Sequence, residues 1–243
     1  MLDLPLHIPL TFGLVVLLTL LLFHIALVPA VGVRQAVVIT IGLLLWTAIQ
    51  SLITLRGFYQ ENLDVLPPRF AWVIGPMLIV IAGIFLLPNS RRFVDRLPMV
   101  SLTYLHTVRI PVEIVLYWLY LHQTIPELMT FAGRNFDILA GITAPFVAYF
   151  GLQRGKFGQA FLIVWNVTAL ALLLFIVFNA ILSAPTPLQQ LAFDQPNIAI
   201  FYFPFVLLPA AVVPIVLFSH LVCLRQLWFG LHDKNLGSQT ALR

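Results

Sequence analysis

Residues 8–28 read IPLTFGLVVLLTLLLFHIALV, an apolar stretch without a charged side chain. A helix rises about 1.5 Å per residue, so about 20 residues are enough to cross a hydrocarbon core of roughly 30 Å. Strands of outer-membrane barrels are shorter and alternate apolar with polar residues, which this stretch does not do. The stretch therefore predicts a membrane-spanning α-helix.

The rest of the chain repeats this pattern, and its composition agrees. Apolar residues make up 61% of the 243 positions and charged residues 9%, whereas soluble domains have about 45–50% and about 25%. We therefore expect an all-α integral membrane protein, a single domain over residues 1–243 whose main partner is the lipid bilayer. A bundle of about seven transmembrane helices is predicted, with spans near residues 8–28, 36–55, 70–87, 100–121, 138–152, 160–182 and 202–224.

Basic residues are divided unequally between the segments that connect these spans. One set of alternating segments contains only Arg56, Arg69 and Arg134. The other set contains nine basic residues, which are Arg34, Arg91, Arg92, Arg96, Arg154, Lys156, Arg225, Lys234 and Arg243. Cytoplasmic segments carry the excess of lysine and arginine. We therefore expect a multi-pass protein of the plasma (inner) membrane with its N-terminus outside and its C-terminus in the cytoplasm.

The net charge of +4 does not indicate a nucleic-acid partner. The basic residues are scattered between apolar segments and form no dense patch with interleaved aromatic residues. Cys223 is the single cysteine, so an internal disulfide is excluded. The connecting segments are too short to hold a soluble domain, and any activity is therefore expected inside the bundle or at its mouths.

The predicted fourth span contains the strongest signal of a functional site. Residues 106–113 read HTVRIPVE, which places Arg109 and Glu113 at membrane depth. Ionisable residues there are costly and usually face the interior of the bundle with a partner. Residues four apart lie on one helix face, so a direct Arg109–Glu113 pair is expected. At 100° per residue, one polar stripe is formed by His106, Arg109, Glu113, Tyr117 and Tyr120.

Four further polar residues are assigned to the same predicted ligand-binding site. Asn135 or Asp137, just before the fifth span, is expected to cap that helix. The alternative is that these two residues and Arg134 line an external mouth leading to Glu113. Asn166 in the sixth span is also a candidate, although a lone asparagine in a membrane helix often serves helix packing.

Three histidines are placed to share one layer near the cytoplasmic side of the bundle: His24, His106 and His220. Neutral imidazoles at one depth are able to ligate haem iron or a divalent metal. The alternative is three unrelated histidines that bond to backbone or water. Retinal is not expected, because a Schiff base needs a lysine in the last span. Both lysines, Lys156 and Lys234, lie in cytoplasmic segments.

These residues support three hypotheses about function. The first is a small-molecule-binding or transport protein in which Arg109 holds an anionic group and Glu113 exchanges a proton. The second is a b-type haem or metal-dependent oxidoreductase that uses two of the three histidines. The third is a helix-packing accessory subunit, with another membrane protein or further copies of the chain as partner.

Overall fold

The structure is a computed structural model that describes residues 2–66 and 68–230. Within these ranges every regular element is helical, which confirms the predicted all-α class. Lys234 and Arg243, two of the basic residues assigned to the cytoplasmic side, lie outside the described residues. Five of the helices are long and apolar enough to cross a membrane: His7–Val31, Val33–Leu55, Met99–Leu121, Gln159–Ser183 and Leu208–Trp228.

Two of these long helices and one shorter helix combine several elements. The 3-10 turn His106–Val108 joins two α-helices, the π-helical segment Leu208–Val212 leads into another, and the π-helical segment Val147–Gln153 continues a third. In chain order the α-helices are α1 (His7–Val31), α2 (Val33–Leu55), α3 (Ala71–Leu86), α4 (Arg91–Arg96), α5 (Met99–Leu105), α6 (Arg109–Leu121), α7 (Asp137–Phe146), α8 (Gln159–Ser183) and α9 (Val213–Trp228).

Two of the predicted spans correspond to shorter helices. The third span is α3, with 16 residues, and the fifth is α7 with its π-helical continuation, Asp137–Gln153. The seventh span begins at Leu208 rather than at residue 202. Pro204, within the predicted span but before this helix, has no N–H and cannot join a regular helical hydrogen-bond ladder. Seven crossings of the membrane therefore stay a prediction.

Among the five long helices the most deeply buried are Met99–Leu121, which contains α5 and α6, and Leu208–Trp228, which contains α9, whereas α2 is peripheral. Helix α1 packs against α2, α5 and α6, while α8 packs against α7 and α9. Gly32 alone connects α1 to α2, with a φ of 81° that glycine adopts without steric cost. The first two helices therefore form a tight hairpin whose second helix buries only Ala36, Thr47, Gln50 and Thr54.

Helix α2 is attached to the rest of the bundle through backbone carbonyls that lie four residues before a proline. Pro214 has no N–H to donate to the carbonyl of Ala210, four residues earlier. Trp46 Nε1 donates to that carbonyl at 2.9 Å. Gln50 Nε2 makes a longer contact of 3.5 Å with the Trp72 carbonyl, four residues before the proline of α3. Two polar side chains of α2 thus use carbonyls that helical bonding leaves free.

Candidate functional site

The candidate site is built where the 3-10 turn joins α5 to α6. Pro111 has no N–H to donate to the carbonyl of Thr107, so a regular α-helix cannot run unbroken through this point. The turn His106–Val108 replaces it, and Arg109 and Glu113 follow in α6. Both side chains are buried, with exposed fractions of 3% and 1%. These two ionisable residues therefore face the interior, as the sequence predicts.

Arg109 pairs with Asp137 of α7 and not with Glu113. Arg109 Nη1 lies 3.2 Å from Asp137 Oδ1, an ion pair that is not aligned as a hydrogen bond. The predicted direct Arg109–Glu113 pair is wrong. In the sequence the arginine precedes the acid, which is the less favourable order for an i,i+4 pair, and α7 supplies a carboxylate from across the interface. Asp137, predicted as a cap or mouth residue, is instead the counter-ion of Arg109.

Gly141 allows the two helices to approach closely enough for this pair. A Cβ at position 141 would lie 3.0 Å from Ile110 Cγ1 and 3.2 Å from Arg109 Cβ. These distances are tighter than ordinary packing, so a side chain here would push α7 away from α6. Asp137 precedes Gly141 by four residues and therefore shares its helix face. The close approach brings the carboxylate to Arg109.

Glu113 is held by the loop that precedes α7. Asn135 Nδ2 donates to Glu113 Oε1 at 2.6 Å and to the Met129 carbonyl at 3.0 Å. Asn135 Oδ1 accepts a hydrogen bond of 3.0 Å from the backbone N–H of Asp137, the first residue of α7, although the N-cap position of this helix is Phe136. Glu113 Oε2 is buried and has no hydrogen-bond partner among the described residues. One carboxylate oxygen is therefore left for a proton or a ligand.

Arg109 also begins a hydrogen-bonded chain that ends in α8. Arg109 Nη2 lies 3.0 Å from His220 Nε2, and because a guanidinium only donates, this ring nitrogen accepts. His220 Nδ1 then carries the proton and donates to Asn166 Oδ1 at 3.1 Å. Asn166 Nδ2 in turn donates to the Leu162 carbonyl. His220 is therefore neutral, and both of its ring nitrogens are in use.

The three histidines do not come together at one site. His106 is fully buried and stacks on His220, with ring centroids 3.8 Å apart and planes inclined by 14°. His24 instead contacts Thr40 Oγ1 at 2.8 Å, between α1 and α2. The part of the chain that the structure describes contains no group of three or more His, Cys, Asp or Glu side chains able to hold a metal ion. A bis-histidine haem needs a free nitrogen on each imidazole, and His220 has none.

The remaining predicted residues lie away from these contacts. Tyr117 and Tyr120 are half-buried, and Tyr117 stacks on Phe131 with ring centroids 4.9 Å apart. Arg134 is exposed and donates from Nη2 to Asn179 Oδ1 at 2.7 Å. The residues that the structure does bring together are named here the polar cluster: His106, Arg109, Glu113, Asn135, Asp137, Asn166 and His220.

A cavity of about 190 Å³ lies beside the polar cluster, between α3, α6, α8 and α9. Glu113 and Asp137 are the ionisable residues among those that line it, and the other lining residues are apolar. Leu78 of α3 and Leu174 of α8 also line it, and they are 43% and 51% exposed on the outside of the bundle. The cavity therefore opens sideways, between α3 and α8. The sequence predicts the two carboxylates but not the cavity, since its walls come from four separate apolar helices.

Membrane-length apolar helices around a buried charged cluster define the class: an all-helical protein of membrane type. Residues 67–228 match the family model described as "Domain of unknown function (DUF8737)", and the chain belongs to that family. No curated protein matches the chain, and no solved structure matches it. The matched range includes every residue of the polar cluster, whereas α1 and α2 precede it.

Proposed function

We propose that this protein binds a small, mostly apolar molecule in the cavity, as a transporter or a ligand-binding membrane protein, and that Glu113 exchanges a proton there. The observation that carries the proposal is that Glu113 lines the cavity, while its Oε2 is buried without a hydrogen-bond partner among the residues that the structure describes. Leaving a buried polar atom unpaired costs about 1–3 kcal/mol. Ionisable residues inside a membrane usually mark substrate or proton pathways.

The membrane topology is part of this proposal. Seven segments cross the plasma (inner) membrane, with the N-terminus outside and the C-terminus in the cytoplasm. The five long helices and the unequal distribution of basic residues support this arrangement. The loop that contains Asn135 then lies on the outer side. Reporter fusions at each terminus test the orientation. If a reporter that functions only outside the cytoplasm is active when fused to the C-terminus, the proposed orientation is wrong.

Charge balance supports a proton on Glu113 when the cavity is empty. The polar cluster contains two carboxylates, Glu113 and Asp137, and one guanidinium, Arg109. Arg109 neutralises Asp137, while the hydrogen-bond partner of Glu113 is the uncharged Asn135. An uncompensated charge is expensive in an apolar interior. With a proton on Glu113 the cluster is neutral, and that proton is available for exchange.

Chemical modification tests whether this carboxyl group is protonated and reached from the apolar side. An apolar carbodiimide reacts with protonated carboxyl groups in apolar surroundings, and peptide mass spectrometry locates the adduct. We expect modification at Glu113, and protection by any small apolar molecule that occupies the cavity. A water-soluble carbodiimide is the control and should modify exposed acids such as Glu61, whose side chain is 66% exposed. An apolar reagent that leaves Glu113 unmodified would overturn the proposal.

Glu113→Gln separates a ligand-binding role from a scaffold role. The amide oxygen of Gln still accepts from Asn135, and Arg109 keeps Asp137, so we expect a melting temperature within about 2 °C of wild type. Carbodiimide modification at this position and stabilisation by ligands should be lost. The matched control is Glu127→Gln, at an exposed loop position. Full ligand response together with a large loss of thermal stability would make Glu113 a scaffold residue.

A further inference from the structure

The walls of the cavity and its acidic residues together point to one class of ligand. Apolar side chains from α3, α8 and α9 form most of the wall, and Glu113 and Asp137 supply the ionisable groups. Apart from these two carboxyl groups, such a lining offers no polar contacts for a sugar or another polyhydroxylated molecule. It suits a molecule that is apolar over most of its surface and polar at one end.

The charges of the polar cluster decide the sign of that polar end. Two carboxylates face one guanidinium, and the hydrogen bonds of His220 make this histidine neutral. Arg109 already contacts Asp137, the Ala169 carbonyl and His220 through its two Nη atoms. Arg109 Nε has no hydrogen-bond partner among the described residues, but Arg109 is not among the residues that line the cavity. An anionic ligand would therefore add negative charge beside two carboxylates without contacting the guanidinium. A cationic ligand would instead neutralise Glu113.

The size and the opening of the cavity limit the ligand further. A cavity of about 150 Å³ holds a benzene molecule, so about 190 Å³ accommodates roughly one aromatic ring with a short polar arm. The opening between the exposed residues Leu78 and Leu174 faces the lipid side of the bundle rather than an aqueous mouth. A ligand on this route first dissolves in the membrane.

We propose that the cavity takes a lipophilic monocation, such as a protonated aralkyl amine, from the lipid phase, and that its ammonium group replaces a proton on Glu113. This inference rests on the proposed function. The exchange is balanced in atoms and charge: the protonated carboxyl releases one H⁺, and the resulting carboxylate pairs with one ammonium group. Glu113 Oε2 receives the N–H of the ligand, while Oε1 keeps Asn135. Charge-assisted hydrogen bonds of this kind are about twice as strong as neutral ones.

Three probes of nearly equal size test the sign of the charge. These are 2-phenylethylamine as the ammonium ion, 2-phenylethanol as the neutral analogue and 3-phenylpropanoate as the anion. Binding to the full-length protein in detergent is measured by calorimetry. We expect the amine to bind roughly tenfold or more tightly than the alcohol, and the anion most weakly. Calorimetry in two buffers of different ionisation enthalpy should show about one proton released for each amine bound.

Two variants locate the effect. Glu113→Gln should abolish proton release and remove the preference for the amine over the alcohol. Glu127→Gln, the exposed control, should leave all three affinities unchanged. An amine that binds no better than the alcohol would overturn the cation inference and leave the proposed function standing. If no probe binds and Glu113 also resists the apolar carbodiimide, the inference and the proposed function both fail.

Discussion

Two arginine–aspartate pairs lie in opposite surroundings. Arg225 contacts Asp95 through two hydrogen bonds of 2.9 and 3.2 Å, and these side chains are 22% and 28% exposed. Arg109 meets Asp137 in a single contact of 3.2 Å, and these side chains are 3% and 6% exposed. The pair with the better geometry is therefore the more solvated one. Burial, rather than the number of contacts, should decide which pair is costly to break.

The surroundings of the two pairs indicate different roles. Beside the Arg225–Asp95 pair, Gln226 Nε2 donates to the carbonyls of Val94 and Leu97 at 2.8 Å, so this region fastens α4 to α9. The buried pair borders the cavity and the unpartnered oxygen of Glu113. The same two residue types therefore hold helices together at one place and border the cavity of the proposed binding site at the other.

Asp137→Asn should have the largest effect, because it leaves Arg109 buried without a counter-ion. We expect a loss of about 3–5 kcal/mol in the free energy of unfolding, measured by thermal or denaturant unfolding in detergent. The double variant Arg109→Leu with Asp137→Leu should lose less, since no buried charge is then unpaired. If Asp137→Asn loses no more stability than Asp95→Asn, burial does not decide which of the two pairs is costly to break.

Gly141→Ala should have an intermediate effect without changing any charge. The new Cβ would meet Ile110 and Arg109 at 3.0–3.2 Å and separate α6 from α7. Overpacking of this kind costs about 1–3 kcal/mol, and amine binding should weaken as Asp137 moves. Gly83→Ala in α3 is the matched control, because its Cβ would meet nothing within 4 Å. Equal stability of the two variants would show that close approach is not needed for the buried pair.

Asp95→Asn should have the smallest effect of the three. The Arg225–Asp95 pair is partly solvated, and such pairs contribute about 0–1 kcal/mol. Raising the salt concentration should weaken this pair in the wild-type protein and leave the buried pair nearly unchanged. Unfolding of both variants at low and high salt checks this. If the stability of Asp95→Asn still depends strongly on salt, charges other than this pair are responsible for the salt dependence.

The sequence predicts that Arg109 and Glu113 are interior but not which acid pairs with the arginine. Interior placement follows from the cost of a charge in lipid, which any lipid-facing position would incur. A pair across two helices depends on their rotation and approach, which periodicity along one helix does not contain. Gly141, four residues after Asp137, is the local signal of that approach, because small residues let membrane helices pack closely.

The histidines show the same limit. Their positions along the spans predict similar depth for His24, His106 and His220, and the structure stacks two of them. His24 bonds to Thr40 because α1 presents it to α2 rather than to the polar cluster. Depth is readable from the number of residues along a helix, whereas the direction of a side chain around the bundle is fixed by neighbours that come from distant parts of the chain.

The attachment of α2 has a consequence for biosynthesis. The α1–α2 hairpin is translated before the carbonyls that its polar side chains use, and Trp46 bonds to Ala210, which is 164 residues later. Gln50 Nε2 contacts the carbonyl of Trp72, which is translated 22 residues later. We expect the nascent hairpin to enter the bilayer with these two donors unpaired, and the Trp46 bond to form only after residue 210 has been inserted. We expect α9 to fix the position of α2, so that the packing of the bundle is completed only when its C-terminal helix is in place.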